Sequence, residues 1–142
     1  MAGDPPPLVT AFYDRIWNAG DLAAIDEILA EDFVFRGSLG AEMRGRTAFG
    51  NYVRMVRTAL ADYRCDILEC VTQEQQAFAK MRFSGIHVET FMGYAPTGDL
   101  IVWLGAALFR MQGLVIAESW VLGDLMSLEA DLKKNAKIAR VQ

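Results

Sequence analysis

Histidine is almost absent from the chain, which has His87 as its single copy among 142 residues. A metal site built from several histidines is therefore impossible. The sequence also lacks GxGxxG after a strand, GK[ST] at the end of a phosphate loop, HExxH and GxSxG. Nicotinamide, ATP and zinc chemistry all lose support, and we expect no cofactor.

Positive charge is scarce as well, with 14 lysines and arginines against 18 acidic residues and a net charge of -4. No broad positive field is available to attract phosphate backbones, so we expect no nucleic-acid partner. No apolar run approaches the roughly 20 residues that cross a bilayer, and the start MAGDPPP lacks a signal-peptide pattern. The sequence predicts a cytoplasmic protein without a membrane partner.

Cysteine occurs only twice, as Cys65 and Cys70 in the segment YRCDILEC. This segment alternates like a strand, which would hold the two thiols about 16 Å apart on opposite faces. That distance excludes a disulfide between them. Neither cysteine has a histidine or another cysteine at metal-ligand spacing, so we predict two buried, unreactive thiols.

Apolar residues are plentiful, at 53% hydrophobic against 23% charged, which is typical of a globular protein. The length suits one domain over residues 1–142. Within it, residues 1–7 contain three consecutive prolines and are predicted to form a flexible leader. Residues 133–142 are predicted to be the end of a C-terminal helix or a tail.

Helical spacing dominates the first part of the chain. Apolar residues from Val9 to Trp17 form one stripe, and Gly20 is a natural helix stop. Asp21 is placed to cap a second, shorter helix. The segment EDFVFRGS then predicts a short strand, and residues 46–60 return to a helical period.

Strand character dominates residues 62–122, where four apolar segments are separated by QEQ, ETFMGYAPTG and QG. Four successive antiparallel strands are the simplest interpretation. A final helix in LMSLEADLKKNAKIA carries its cations near its C-terminus, where the helix dipole favours them. Together these elements predict an α+β fold, a curved antiparallel sheet shaped like a cone and packed on one face by the N-terminal helices.

Strand parity selects candidate acid–base groups. His87 ends an apolar face of its strand, and in the last strand Glu118 and Asp124 share a face with Trp120 if no bulge intervenes. A carboxylate in an apolar pocket has a raised pKa and can move protons near neutral pH. The alternatives are that His87 is a half-buried polar residue and that Asp124 caps the next helix.

Other residues are candidates for substrate contacts. Arg36 could point inward, to pair with Asp124 or bind an acidic substrate, or it could be a solvated strand-end arginine. Six further residues could line a pocket for a flat or aromatic ligand, or could be plain core: Trp17, Tyr52, Met55, Phe91, Trp103 and Trp120. Glu118 would join them on the same face.

Four segments carry a family resemblance: FYDRIWNAGDLAAIDEILAEDFVF, GRTAFGNYVRMVRTALADY, FSGIHVETFMGYAPTGDLIVW and ESWVLGDLMSL. In this order they resemble the SnoaL-like polyketide cyclases, also called predicted ester cyclases, of the nuclear-transport-factor-like superfamily. Their most specific parts are WNxGD, GxHxxxFxGxxPTG and ExWxxxD. Phe35 and Arg36 depart from the family, because many members carry Asp-His there.

The resemblance implies a cystatin-like α+β cone that forms a homodimer or a larger homo-oligomer, with a pocket between sheet and helices. It implies ring closure by intramolecular aldol condensation without a cofactor. Asp124 would remove a proton beside a carbonyl, and His87 would be its polar partner. The ligand would be a small apolar or aromatic molecule.

Two rival hypotheses stay open beside this cyclase. One is a non-catalytic module of the same fold that binds a small ligand or mediates dimerisation, with Asp124 acting only as a helix cap. The other is a hydrolase or isomerase on the same scaffold. The position of Asp124 and His87 relative to one enclosed cavity separates catalysis from binding.

Overall fold

The computed structural model describes residues 3–141. Residues 1 and 2 of the predicted leader, and residue 142 of the predicted C-terminal segment, lie outside the described residues. The elements are, in order, α1 (Pro7–Ala11), a π-helical segment (Phe12–Asn18), α2 (Ala24–Ile28), β1 (Leu29–Arg36), β2 (Glu42–Arg44), α3 (Arg46–Ala59), β3 (Leu60–Gln73), β4 (Gln76–His87), β5 (Leu100–Gln112), β6 (Val115–Gly123) and α4 (Leu125–Val141).

The first helix begins at Pro7, where the fixed φ and missing N–H of proline suit the first turn. After α1 it widens into the π-helical segment, at whose end the Ala19 N–H donates to the Asp14 carbonyl oxygen, five residues back, at 3.0 Å. The helical prediction is confirmed, but the π form was not predicted. Such segments are rare and occur often at functional sites; this one carries Tyr13 and Trp17.

Six strands form one sheet in the order β2-β1-β6-β5-β4-β3. β3 to β6 are successive antiparallel neighbours, so the predicted meander is confirmed. β1 lies parallel to β6, and the three-residue β2 pairs with β1. The sequence predicted neither pairing. β2 is too short for a periodic signal, and the pairing of β1 with β6 joins two strands that are far apart in the chain. The curved, open sheet with its helices confirms the predicted α+β fold.

Aromatic side chains join the N-terminal helix and α3 to one face of the sheet, which we call the inner face. Phe12 stacks on Phe49 of α3 with 5.6 Å between ring centroids, and it meets Phe109 of β5 edge-on at 5.3 Å. All three rings are fully buried. Aromatic pairs of this kind contribute about 0.5–1.5 kcal/mol beyond the burial of their area. The helices are therefore fixed on the sheet by specific ring contacts.

β4 follows the predicted alternation over its whole length. Its inner-face residues are buried, whereas Lys80 and Arg82 on the opposite, outer face are exposed. The buried set is Ala77, Ala79, Met81, Phe83, Gly85 and His87. Within the described residues, no helix is both long enough and apolar enough to span a membrane.

β6 contains a bulge that the parity prediction did not include. Arg110 of β5 pairs with Glu118 and Met111 pairs with Ile116, so Ala117 has no partner in the ladder. One extra residue reverses the faces on either side of it. Ile116 faces inward, whereas Glu118 and Trp120 share the outer face. They share a face as predicted, but it is not the inner face on which the sequence suggested a pocket.

β3 has a similar bulge at Leu68, between the pairs Ile67–Met81 and Glu69–Lys80. It brings Cys65 and Cys70 to the same inner face, not to opposite faces as regular alternation predicted. Both thiols are free and buried, as predicted. Burial raises the pKa of both thiols, which keeps them protonated and unreactive at neutral pH.

Candidate functional site

A cavity lies between the N-terminal helix, α3 and the inner face of the sheet; we call it the central cavity. It holds about 20 Å³ of space for the centre of a water-sized sphere. One water needs about 10–15 Å³ by the same measure, so the closed cavity has room for about one water. Its lining residues are Phe12, Tyr13, Trp17, Phe35, Ser38, Leu39, Tyr52, Val56, Tyr63, Cys65, Phe83, Trp103 and Val121.

Three of the residues that the sequence suggested for a ligand pocket line this cavity: Trp17, Tyr52 and Trp103. Trp17 meets the Tyr52 ring edge-on at 6.0 Å and the Tyr63 ring at 5.5 Å. Trp103 of β5 lies beside Tyr63 in the cavity wall, with 6.2 Å between the ring centroids. The π-helical segment, α3 and the sheet thus each contribute at least one aromatic ring to one apolar enclosure.

The polar side-chain groups of the cavity-lining residues are neutral hydroxyls, a thiol and the indole N–H groups of Trp17 and Trp103. Burial raises the pKa of Tyr52 to about 12 and the pKa of Tyr13 and Tyr63 well above their usual range. The neighbouring Cys65 thiol also raises the pKa of Tyr63. None of these groups is a base at neutral pH. Over the described range the lining contains no carboxylate, histidine, lysine or arginine.

Two polar atoms of the cavity-lining residues are buried without a hydrogen-bond partner in residues 3–141. They are the hydroxyl of Tyr13 and the indole Nε1 of Trp103. Because buried polar groups are nearly always paired, an unpaired one calls for an explanation. Ser38 also contributes a hydroxyl from the turn between β1 and β2. The cavity therefore offers hydrogen-bond donors inside an apolar wall.

His87 is fully buried at the end of β4, but it does not line the central cavity. Its Nε2 lies 3.1 Å from the backbone oxygen of Tyr94 in the β4–β5 loop, and its Nδ1 has no partner among the described residues. Phe91 lies between His87 and the cavity wall, with its ring 6.3 Å from His87 and 6.1 Å from Trp103. Phe91 therefore contacts the wall from outside the cavity.

Asp124 lies at the N-terminus of α4 and is exposed. Its Oδ1 accepts a hydrogen bond from the Ser127 N–H at 3.1 Å, and its carbonyl oxygen accepts one from Leu128. This is the geometry of an N-cap. The structure does not bring Asp124 and His87 to a common cavity, because Asp124 follows the outward parity set by the bulge at Ala117.

Arg36, Glu118 and Trp120 meet on the outer face of the sheet instead of the pocket that the sequence suggested for them. The Arg36 guanidinium lies 5.4 Å above the Trp120 ring, and its Nη1 donates to the Val121 carbonyl oxygen. Glu118 forms an ion pair with Arg110 at 3.7 Å. Met55 is 55% exposed on α3 and also lies outside the cavity.

Tyr13, Tyr63, Cys65 and Ser38 are cavity residues that were not among the candidates from the sequence. Tyr13 was recognised only as part of an apolar helical stripe. Tyr63 was recognised only as part of a strand. Their hydroxyls carry no sequence motif, so the signal that identifies them is spatial. In the described part of the chain, no three acidic, cysteine or histidine side chains are grouped as metal ligands would be.

The profile of one family, described as SnoaL-like polyketide cyclase, matches residues 8–132. The chain belongs to the SnoaL-like polyketide cyclase family. A comparison with curated proteins finds no match.

Solved structures share the fold of this SnoaL-like chain at low sequence identity. A proposed polyketide cyclase from Acidithiobacillus ferrooxidans is 22% identical over 91% of this chain and 94% of its own, with a TM-score of 0.80. TsrD from Streptomyces laurentii is 23% identical over 88% and 91%, with a TM-score of 0.78. A protein with a ketosteroid isomerase-like fold from Catenulispora acidiphila is 18% identical over 92% and 95%, with a TM-score of 0.76.

The WNxGD motif of this SnoaL-like chain joins the N-terminal helix to its surroundings. Asn18 exchanges two hydrogen bonds with the backbone of Cys65, at 2.8 and 3.1 Å. Gly20 has φ +70° and lies against the Arg57 guanidinium, which donates to the carbonyl oxygens of Trp17 and Asn18. The motif thereby positions Trp17 in the cavity wall.

The departure at Phe35 and Arg36 also has a structural consequence. Phe35 points inward and lines the cavity, with its ring 4.7 Å from Phe49 and 5.7 Å from Tyr52. Arg36 points outward to Trp120. An apolar ring therefore stands in the wall of this SnoaL-like cavity, and the cation that follows it is directed elsewhere.

Proposed function

We propose that the protein binds a small, flat, largely apolar molecule in the central cavity. The observation that carries this proposal is the aromatic lining with two buried, unpaired polar atoms, Tyr13 Oη and Trp103 Nε1. Ligand pockets combine an apolar wall with a few convergent polar groups. A charged ligand would lose its hydration without a countercharge in the lining, so the ligand is neutral.

We propose that such a ligand enters by displacing the turn between β1 and β2. Ser38 and Leu39 of this turn line the cavity, and the turn is held by a hydrogen bond from the Gly37 N–H to the Ala41 carbonyl oxygen at 2.9 Å. The closed cavity has room for about one water. We therefore expect binding to be slower than diffusion and to be accompanied by displacement of the turn.

A thermal-shift screen with small neutral aromatics and ketones tests the proposal. A ligand at about 100 times its Kd stabilises the folded state by about 2.7 kcal/mol. Leu39→Trp should fill the cavity and abolish the shift. Met55→Trp adds the same side chain at a 55% exposed position of α3 and should leave the shift intact. A ligand whose shift is equal in both variants does not bind in the central cavity.

A second candidate function is cofactor-independent ring closure of a carbonyl compound, with Asp124 as base and His87 as its polar partner. Membership of the SnoaL-like family and the buried, unpaired Nδ1 of His87 favour it. Asp124 would have to leave Ser127, and Arg36 would have to turn from Trp120 to orient an anionic or carbonyl group. A hydrolase or isomerase reaction would use the same groups.

Asp124→Asn separates these two candidates. Asparagine keeps a side-chain oxygen for the cap but cannot act as a base. For catalysis we expect turnover of a poly-β-ketone probe to be lost while ligand binding stays, and for pure binding neither wild type nor variant turns the probe over. An unchanged rate in the variant would exclude Asp124 as the base.

The chain also presents an outer apolar patch, which we define as Phe78, Val102, Leu104, Trp120 and Leu122, each between 38% and 50% exposed. Contiguous exposed apolar residues of this kind mark association surfaces. We propose that two copies pair through this patch. Leu104→Glu should convert the dimer to a monomer in sedimentation, whereas Leu114→Glu, at an 89% exposed site outside the patch, should leave the dimer intact.

A cytoplasmic location stays a prediction.

A further inference from the structure

We propose that the indole N–H of Trp103 selects ligands that carry a neutral oxygen acceptor, such as a ketone carbonyl, and that it fixes this oxygen at one end of the central cavity. This inference rests on the proposed binding function and names the chemistry of the ligand. Trp103 would be a specificity-determining residue of the cavity.

The first argument is the unpaired state of the indole nitrogen. Trp103 is 2% exposed and lines the cavity, and its Nε1 has no hydrogen-bond partner in the described chain. An indole N–H can only donate, so only an acceptor satisfies it. A buried donor without an acceptor costs free energy, and a ligand that brings an oxygen recovers that cost. A hydrocarbon of the same shape brings no acceptor and cannot recover this cost.

The second argument is the geometry around the indole. Three aromatic rings, each tilted by 36–38° to the Trp103 plane, surround it and fix the direction of the N–H: Tyr63 at 6.2 Å, Phe83 at 5.5 Å and Phe91 at 6.1 Å. Gly123 is next to Nε1, because a Cβ atom there would lie 3.2 Å from Nε1 and 3.0 Å from the Cβ and carbonyl oxygen of Ser38. A side chain at position 123 would therefore crowd the N–H.

The third argument concerns charge. The lining contributes tyrosine hydroxyls, Ser38 and the Cys65 thiol, but within residues 3–141 it contributes no cationic side chain. A carboxylate or phosphate ligand would have to lose its hydration with only neutral donors in exchange. A carbonyl oxygen accepts the same hydrogen bond without that loss. The acceptor that suits Trp103 is therefore neutral.

A matched pair of ligands tests this inference: acetophenone and α-methylstyrene, which have the same shape and differ by C=O against C=CH2. We expect wild-type protein to bind the ketone about tenfold more tightly, the size expected when one buried hydrogen bond is made or left unmade. Trp103→Phe should reduce the ratio of the two Kd values to about one. Trp120→Phe, the same substitution on the outer face, should keep the tenfold ratio. The ratio cancels the general effect of a smaller side chain.

A spectroscopic measurement keeps the test independent of how Trp103→Phe folds. The chain has three tryptophans, so wild-type protein labelled with nitrogen-15 gives three indole N–H signals. Trp120→Phe and Trp17→Phe each remove one signal, and the signal that stays in both variants belongs to Trp103. Acetophenone should move the Trp103 indole proton downfield, as hydrogen bonding does, and α-methylstyrene should not.

The outcomes separate the two proposals. If wild-type protein binds neither compound, the proposed binding function fails. Equal affinity for both compounds, with no shift of the Trp103 indole signal, would overturn the inference. A ketone preference that survives in Trp103→Phe would overturn it as well, and would assign the selection to another donor such as Tyr13.

Discussion

Replacing Asp124 by alanine should destabilise the protein through α4, independently of any catalytic role. The Asp124 Oδ1 accepts the Ser127 N–H at 3.1 Å, and alanine leaves that N–H without its partner. Loss of such a cap costs about 1 kcal/mol, and loss of a negative charge at a helix N-terminus costs about 0.3–1 kcal/mol more. α4 contributes Leu128 and Leu132 to the core, so the loss affects global stability.

The expected total is about 1–2 kcal/mol for Asp124→Ala, which corresponds to a decrease in Tm of about 3–8 °C for a chain of this size. Asp124→Asn keeps the hydrogen bond and loses only the charge, so it should cost about 0.5 kcal/mol. That smaller difference should vanish in about 1 M salt, because salt screens exposed charges.

Urea unfolding followed by circular dichroism measures these differences as shifts of the midpoint at constant slope. Asp131→Ala is the matched control, since it removes an exposed aspartate from within the same helix. It should not lower stability, because alanine is the better helix former. If Asp124→Ala were as stable as wild type, the carboxylate would not hold the helix end, and the geometric argument against an inward Asp124 would be refuted.

Three further predictions concern the sheet and the cavity. Gly105→Ala should lower stability by about 1–3 kcal/mol, because its Cβ would lie 2.6 Å from the Leu122 carbonyl oxygen and 2.7 Å from the Phe83 ring. An unchanged urea midpoint for Gly105→Ala would contradict the close packing. Burial raises the pKa of Tyr52 to about 12, whereas a tyrosine in the unfolded state has a pKa near 10. The unfolded state therefore loses its proton first, and the stability of the folded state falls as the pH rises from 10 to 12. Tyr52→Phe should show a smaller loss of urea midpoint between pH 8 and 11 than wild type, and an equal loss would speak against the buried hydroxyl. Cys65 should resist iodoacetamide at pH 8 until the protein unfolds, because burial raises the pKa of its thiol. Rapid labelling of the native protein in mass spectrometry would disprove its burial.

Much of the architecture could be predicted from local patterns. The alternation of β4 placed His87 at the end of a buried face, and the helical stripe placed Trp17 on the side of its helix that packs against the sheet. These predictions are confirmed because periodicity depends only on residues adjacent in the chain. Trp17, Tyr52 and Trp103, three of the residues suggested for a pocket, line the central cavity, and all three combine a large ring with an inward position. Their role in binding a ligand stays a prediction.

The two errors of strand parity, in β3 and β6, share one cause. Each bulge is defined by pairing with a neighbouring strand, and a single chain segment does not reveal how many residues oppose its partner. The extra residue Ala117 turned Glu118 and Trp120 to the outer face, and Leu68 brought Cys65 and Cys70 to one face. Asp124 was recognised from sequence as either a base or a cap, and periodicity had no means to choose.

The sequence by itself therefore determined most of the elements, the meander of β3 to β6 and the family, because these follow from local periodicity and from motifs carried along the chain. Only the tertiary structure decided which polar atoms the cavity contains. Tyr13 and Trp103, whose Oη and Nε1 are buried without a partner among the described residues, are far apart in sequence, and they line one cavity only after the helix packs on the sheet. The same packing leaves Asp124 outside, where its carboxylate remains hydrated and holds the end of α4.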